Sequence, residues 1–144
     1  MSTILEVKNL TKVYGGGILA NHNISFSIEK GEIHALVGEN GAGKSTLMKM
    51  LFGMEEITSG DIYFEGKKVN FESSKDAIEC GIGMVHQHFM LVPSLTVAEN
   101  LTLGIERKKG FIIDKKRCIK DTEDIAKKYK FNIDSKKKVR DISI

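Results

Sequence analysis

Nine consecutive residues, Gly38-Glu39-Asn40-Gly41-Ala42-Gly43-Lys44-Ser45-Thr46, have the types and spacing to hold a chain of phosphates. They fit the pattern G-x-x-x-x-G-K-[ST], in which glycines let successive backbone N–H groups converge on an anion. A helix starting near Gly43 adds the partial positive charge of its N-terminus at the same point. Lys44 brings a mobile full charge for the β- and γ-phosphates, and Ser45 a hydroxyl oxygen suited to Mg²⁺. The competing explanation is a glycine-rich surface turn. At ordinary residue frequencies a chance match in a chain this long arises on the order of once in two hundred, and the flanking pattern makes it rarer. The expected nucleotide contacts within this stretch are Gly38, Asn40, Gly41, Ala42, Gly43, Lys44, Ser45 and Thr46.

The elements that must position this loop are legible on both sides. An apolar run, Ile33-His34-Ala35-Leu36-Val37, leads into it and reads as a strand. Leu47, Met48 and Leu51 follow at helical spacing, with Gly53 as a stop. Upstream, Ile4 to Lys8 reads as a short strand. Ile24, Phe26 and Ile28 alternate with polar residues on a second, and Gly15-Gly16-Gly17 lies between them as a turn. Downstream, Asp61 to Glu65 reads as a strand that Gly66-Lys67-Lys68 turns back toward Val69. Ser73 with Asp76, and Thr96 with Glu99, have capping-box spacing, so helices are expected to start there and to end at Gly81 and Gly104. Ile82 to Val85 reads as a short strand. Cys118, Ile119, Thr122, Ile125, Ala126 and Tyr129 recur at three- and four-residue steps, predicting an amphipathic helix over 115–130 capped by Asp114.

Composition sets the outer bounds. The chain has 144 residues, 41% hydrophobic and 28% charged, as expected of a globular domain. No stretch approaches the roughly 18 apolar residues of a membrane span, and the polar start has no secretion-signal pattern. Cys80 and Cys118 lack C-x-x-C spacing and read as reduced thiols. Residues 1–106 carry 8 basic and 13 acidic side chains (net −5), whereas residues 107–144 carry 14 basic and 6 acidic (net +8). With no aromatic stacking pattern beside it, the basic segment reads as a solvated helical face. His86 and His88 alternate at a strand end, but two ligands without a third make weak evidence for a metal.

The order of these motifs resembles the ATPase subunit of ABC transporters, and the match runs along essentially the whole chain. Tyr14, in Leu-Thr-Lys-Val-Tyr-Gly, sits where that family places an aromatic that stacks on adenine. The phosphate loop reads as in the family. Gln87, in Gly83-Met84-Val85-His86-Gln87, sits at the family's Q-loop glutamine, and Thr96-Val97-Ala98-Glu99-Asn100-Leu101 resembles the opening of its helical subdomain. The run from Gly83 to Val92 is similar to the nucleoside-uptake branch of sugar and nucleoside importers. Such proteins usually carry two ATPase halves, and this chain resembles the start of the first. Ile142-Ser143 stands where the signature motif opens. The resemblance therefore puts the Walker B aspartate, the catalytic glutamate and the switch histidine outside these 144 residues.

The resemblance implies an α/β P-loop NTPase of the ABC type. Residues 1–88 would form an antiparallel β subdomain plus part of the RecA-like core, and residues 89–144 the Q-loop and the beginning of the helical subdomain. It implies ATP and Mg²⁺ as cofactors, with Lys44 and Gln87 as catalytic residues and Ser45 and Gln87 as Mg²⁺ ligands. Tyr14 joins the phosphate loop as a binding residue. The implied partners are membrane permease subunits, a second ATPase half or homodimer partner, and indirectly a substrate-binding protein. No nucleic acid is expected, and the implied location is cytoplasmic, on the inner face of the membrane. The chain alone is expected to bind ATP without efficient hydrolysis. It is also expected to leave a sheet edge unpaired, since the family's Walker B strand lies between the phosphate-loop and Q-loop strands. The rival reading is a soluble ABC ATPase acting on nucleic acid or ribosomes, for which the basic 107–144 segment is the argument. A weaker one is an unrelated P-loop kinase or GTPase, for which Tyr14 and Gln87 would be coincidences.

Overall fold

The computed structural model describes residues 2–87 and 90–142, and the chain divides into two compact units, Met1–Val85 and His86–Ile144. The expectations placed on His88 and Ser143, and the Phe89 step of the Gly83–Val92 run, lie outside the described residues.

The first unit is built on a four-stranded antiparallel sheet in the order β2-β1-β3-β4. β1 (Thr3–Tyr14) and β2 (Ile18–Glu29) form a long hairpin across the Gly15–Gly17 turn. β3 (Ser59–Phe64) pairs with the other edge of β1, and β4 (Lys67–Val69) with β3. β1 is longer than the run Ile4–Lys8 that its alternation reveals, because the register shifts between Val7 and Leu10 and again between Leu10 and Lys12. At these irregularities Asn9 and Asn23 take positive φ, and side-chain hydroxyls replace the lost ladder bonds. Asn9 N–H donates to Ser25 Oγ at 2.8 Å, and Asn23 N–H to Thr11 Oγ1 at 3.0 Å. The turn before β4 is Glu65-Gly66, one residue earlier than expected. Both take positive φ, as a two-residue hairpin turn requires.

Helix α1 (Lys44–Leu51) buries Leu47, Met50 and Leu51 among Val7, Leu10, Ile62, Phe52 and Phe71, and Ala77 of α2 (Ser74–Glu79) joins the same core. Ile24 and Phe26 pack against it from β2, and Ile28, the third residue of their alternating face, is half-buried. The Asp76 carboxylate accepts from the Ser73 N–H at 2.8 Å and from its hydroxyl at 3.0 Å, which anchors the start of α2.

Two expected strands are absent. Ile33–Val37 and Ile82–Val85 are not paired into a sheet, and Ile33, Val37 and Val85 are 97%, 89% and 90% exposed. A strand exists only when a neighbour takes up its N–H and C=O groups. No strand among the described residues pairs with either run. Their apolar character marks them for burial but does not supply that neighbour.

The second unit packs α3 (Val97–Thr102) against α4 (Lys115–Lys128) through Ala98, Thr102, Cys118, Thr122 and Ala126. A short hairpin, β5 (Lys108–Lys109) and β6 (Ile112–Ile113), precedes α4. Asp114 caps α4, accepting from Arg117 N–H at 3.1 Å, as expected. The start of α3 is tied down from both directions: Val97 N–H donates to Lys137 O at 3.0 Å and Ala98 N–H to Ser135 O at 2.9 Å. The basic residues at 107–144 lie mostly on exposed surface, with Arg107 paired to Asp121 at 3.0 Å and Lys115 to Glu99 at 3.1 Å.

The Thr96–Glu99 capping box closes in both directions. Glu99 N–H donates to Thr96 Oγ1 at 3.2 Å, and Glu99 Oε2 accepts from Thr96 N–H at 2.9 Å. The Glu99 carboxyl titrates below its ordinary value of 4.5, first because of the Thr96 backbone bond, then because of Lys115 and the Thr96 hydroxyl. A depressed folded-state pKa gives stability that is present above the unfolded value and lost as pH falls through the folded one. The melting temperature of the native chain is therefore expected to exceed that of Glu99→Gln at neutral pH. The gap should close as pH drops below about 4, read by circular dichroism at pH 7, 5, 4 and 3.

Candidate functional site

The loop 38–43 curls against β2 and delivers the chain into α1. Gly41 and Gly43 sit at φ 84° and 82°, a left-handed region that side chains disfavour. Ala42 N–H donates to Glu39 O at 3.2 Å, closing a tight turn inside the loop. α1 begins at Lys44 with Gly43 as its N-cap and no side-chain cap, which leaves its first N–H groups to an external acceptor. Lys44 lies back along the loop, and Nζ donates to Gly38 O at 2.7 Å and Glu39 O at 2.6 Å. The ammonium therefore stands over the loop that its own helix opens.

The loop is held from behind by β2. Asn21 is 6% exposed, and its Nδ2 donates to Gly43 O at 3.3 Å. Asn21 Oδ1 is buried and accepts no hydrogen bond among the described residues. A Cβ on Gly43 would come within 2.3 Å of Ala20 O and 2.8 Å of Asn21 Nδ2, so the strand occupies the space a side chain needs. Tyr14 closes β1 and pairs with Ile18, two residues before Ala20, so the hairpin end that carries the ring also touches the loop.

The first unit thus brings together Tyr14, Gly38, Asn40, Gly41, Ala42, Gly43, Lys44, Ser45 and Thr46. Ser45 is exposed on the first turn of α1 and Thr46 half-buried beside it. Gln87 is exposed in a bend and belongs to the second unit. Among the described residues no group of three or more His, Cys, Asp or Glu could hold a metal ion. The loop fits a polyphosphate: it offers N–H groups, a helix N-terminus and a lysine, with no acidic side chain bonded into it. For a hard divalent cation the first unit offers the exposed hydroxyl oxygen of Ser45, a donor of the kind Mg²⁺ prefers.

Two residues near this site escaped sequence reasoning. Asn21 reads as one polar residue among several in Asn21-His22-Asn23, although it is the buried one. Lys12 is 9% exposed and lies beside the Tyr14 ring. Its place two residues from both Leu10 and Tyr14 was an available signal that it shares their face.

Comparison with known proteins gives a consistent answer. Residues 21–144 match the family model described as ABC transporter. The chain is 50% identical over 144 residues to the guanosine import ATP-binding protein NupO of Bacillus subtilis (strain 168), covering 100% of this chain and 28% of that protein. It is 44% identical over 143 residues to the galactose/methyl galactoside import ATP-binding protein MglA of Clostridium perfringens (strain SM101 / Type A), covering 99% and 28%. Among solved structures, a nucleotide-free ATP-binding cassette from an ABC transporter superposes with a TM-score of 0.82 at 26% identity, covering 98% of this chain and 59% of that one. The chain thus spans little more than a quarter of the curated relatives it matches. The fold is that of a P-loop NTPase cassette, with the antiparallel sheet beside the phosphate loop.

Gly43→Ala should weaken ATP binding by about tenfold or more, through left-handed strain and collision with β2. Titration calorimetry measures the loss, and an unchanged far-ultraviolet spectrum would localise it to the loop.

Proposed function

We propose that this chain, which belongs to the ABC transporter family, is the ATP-gripping part of an importer's ATP-binding component, coupled to uptake of a sugar or nucleoside. The import reading is carried by the 50% identity along the entire chain to a protein named for guanosine import. The galactose import relative supports the wider substrate class. The chemistry rests on the loop. Its N–H groups and the N-terminus of α1 neutralise phosphate charge, and Lys44 leaves the Gly38 and Glu39 carbonyls to bridge the β- and γ-phosphates.

In this reading Tyr14 stacks on the adenine, and Gly38, Asn40, Gly41, Ala42 and Gly43 line the phosphates with backbone. Thr46 supports the α- and β-phosphates. Ser45 and Gln87 would hold Mg²⁺, which would supply neutralisation of phosphate charge when bound. Gln87 also orients the attacking water and reports nucleotide state to the permease. Permease subunits, a second ATPase half or homodimer partner and, indirectly, a substrate-binding protein complete the assembly. It works at the inner face of the membrane; among the described residues no helix is long and apolar enough to cross it. The 144 residues alone bind nucleotide without efficient turnover.

In the intact protein, Lys44→Ala should weaken Mg²⁺-ATP binding by about a hundredfold, since it removes the full positive charge that lies on the loop. Hydrolysis should be lost with it. Equilibrium titration and a phosphate-release assay measure both. Wild-type affinity in Lys44→Ala would remove the loop from the mechanism, and turnover stimulated by nucleic acid rather than by permease would redirect the function.

A further inference from the structure

Lys12 is a lysine whose head group is held inside the fold. The residue is 9% exposed; Nζ donates to Glu56 O at 2.7 Å and lies 3.4 Å from Glu55 Oε2. Both partners belong to the connection between α1 and β3. Thr58 ties that connection to the end of β1: its N–H donates to Thr11 O at 3.0 Å, and its Oγ1 accepts from Val13 N–H at 2.9 Å. Held this way, Nζ lies 4.9 Å from the centroid of the Tyr14 ring, inside the range of a cation–π contact. Lysines ordinarily bury the stem and keep the ammonium in water. This one spends its charge on a carboxylate, a carbonyl and one face of an aromatic ring.

We infer that Lys12 is a positioning residue for the nucleobase: it fixes the Tyr14 ring from one side so that the other face receives adenine. This rests on the reading that Tyr14 stacks on the base. Two physical consequences follow from the contact. A cation on one face draws π density toward itself, and the opposite face becomes a better partner for an electron-rich purine. The residues gripping Lys12 also follow α1, the helix that begins at the phosphate loop, so base platform and phosphate cradle are braced through one element. Lys12 pairs across the hairpin with Asn21, the residue holding Gly43 from behind, which braces the two a second time.

The test compares Mg²⁺-ATP with Mg²⁺-tripolyphosphate, which fills the phosphate loop and carries no base, by titration calorimetry on the intact protein. Lys12→Met should weaken ATP about fivefold and leave tripolyphosphate unchanged, while Lys12→Arg restores ATP affinity. Tyr14→Ala should weaken ATP only, and adding Lys12→Met to it should cost nothing more. Tripolyphosphate affinity reports that the loop is intact in every variant. Should Lys12→Met not fold, Glu55→Gln, which loosens the hold on Nζ, must shift the ATP-to-tripolyphosphate ratio in the same direction. Equal loss for both ligands, or ATP loss in Tyr14→Ala with none in Lys12→Met and Glu55→Gln, overturns the role of Lys12. An unchanged ratio in Tyr14→Ala overturns the stacking reading itself.

Discussion

The contact on which the first unit depends is the one between Gly43 and the backbone and carboxamide of Ala20 and Asn21. A phosphate loop gathers N–H groups that repel one another electrostatically, and it stays curled only if something holds it from outside. Here β2 does so, with Asn21 Nδ2 on Gly43 O and the Ala20 carbonyl filling the place of a side chain. That closeness is possible only at a residue without Cβ. The sheet in turn needs α1 as its apolar cover, because Leu47, Met50 and Leu51 fill the space over Val7, Leu10 and Ile62. Loop, helix and hairpin are therefore one mechanical object, and Tyr14 stands at the end of it.

What could be read from the sequence was whatever depends on neighbours in the chain. The phosphate loop, the capping pairs Ser73–Asp76 and Thr96–Glu99, the Asp114 cap and the 115–130 helix all depend on spacings of five residues or fewer, and all are found. Ile33–Val37 and Ile82–Val85 show where local reasoning stops. Their composition suits a strand, but a strand requires a partner that composition does not provide. Asn21 and Lys12 are held by partners 22 and 44 residues away, Gly43 and Glu56, so the spacing that places Lys12 on the face of Leu10 and Tyr14 does not reveal what grips it. The strand bulges near Asn9 and Thr11 also hid the true length of β1, since each shift interrupts the alternation that reveals a strand.

The charge asymmetry finds a physical place as well. The basic stretch beyond residue 106 contains α4, whose buried side is made of small groups, Cys118, Thr122 and Ala126, while its lysines stay at the surface. Pairs such as Lys115–Glu99 and Arg107–Asp121 pin particular geometries in the second unit and contribute modestly to stability at such exposure. The acidic balance of residues 1–106 spares the phosphate loop itself: of the residues bonded there, Glu39 takes part through its carbonyl and not its carboxylate.

The central claim is that residues 38–46 and Tyr14 grip a single ATP. A crystal structure of the intact protein with Mg²⁺ and a non-hydrolysable ATP analogue tests it most directly. The account predicts the β-phosphate within hydrogen-bond distance of the N–H groups of 41–45, Lys44 Nζ moved from the Gly38 and Glu39 carbonyls onto phosphate oxygens, and the adenine on Tyr14. An analogue bound elsewhere, or bound at the loop with Lys44 still on its carbonyls and the adenine away from Tyr14, would contradict it.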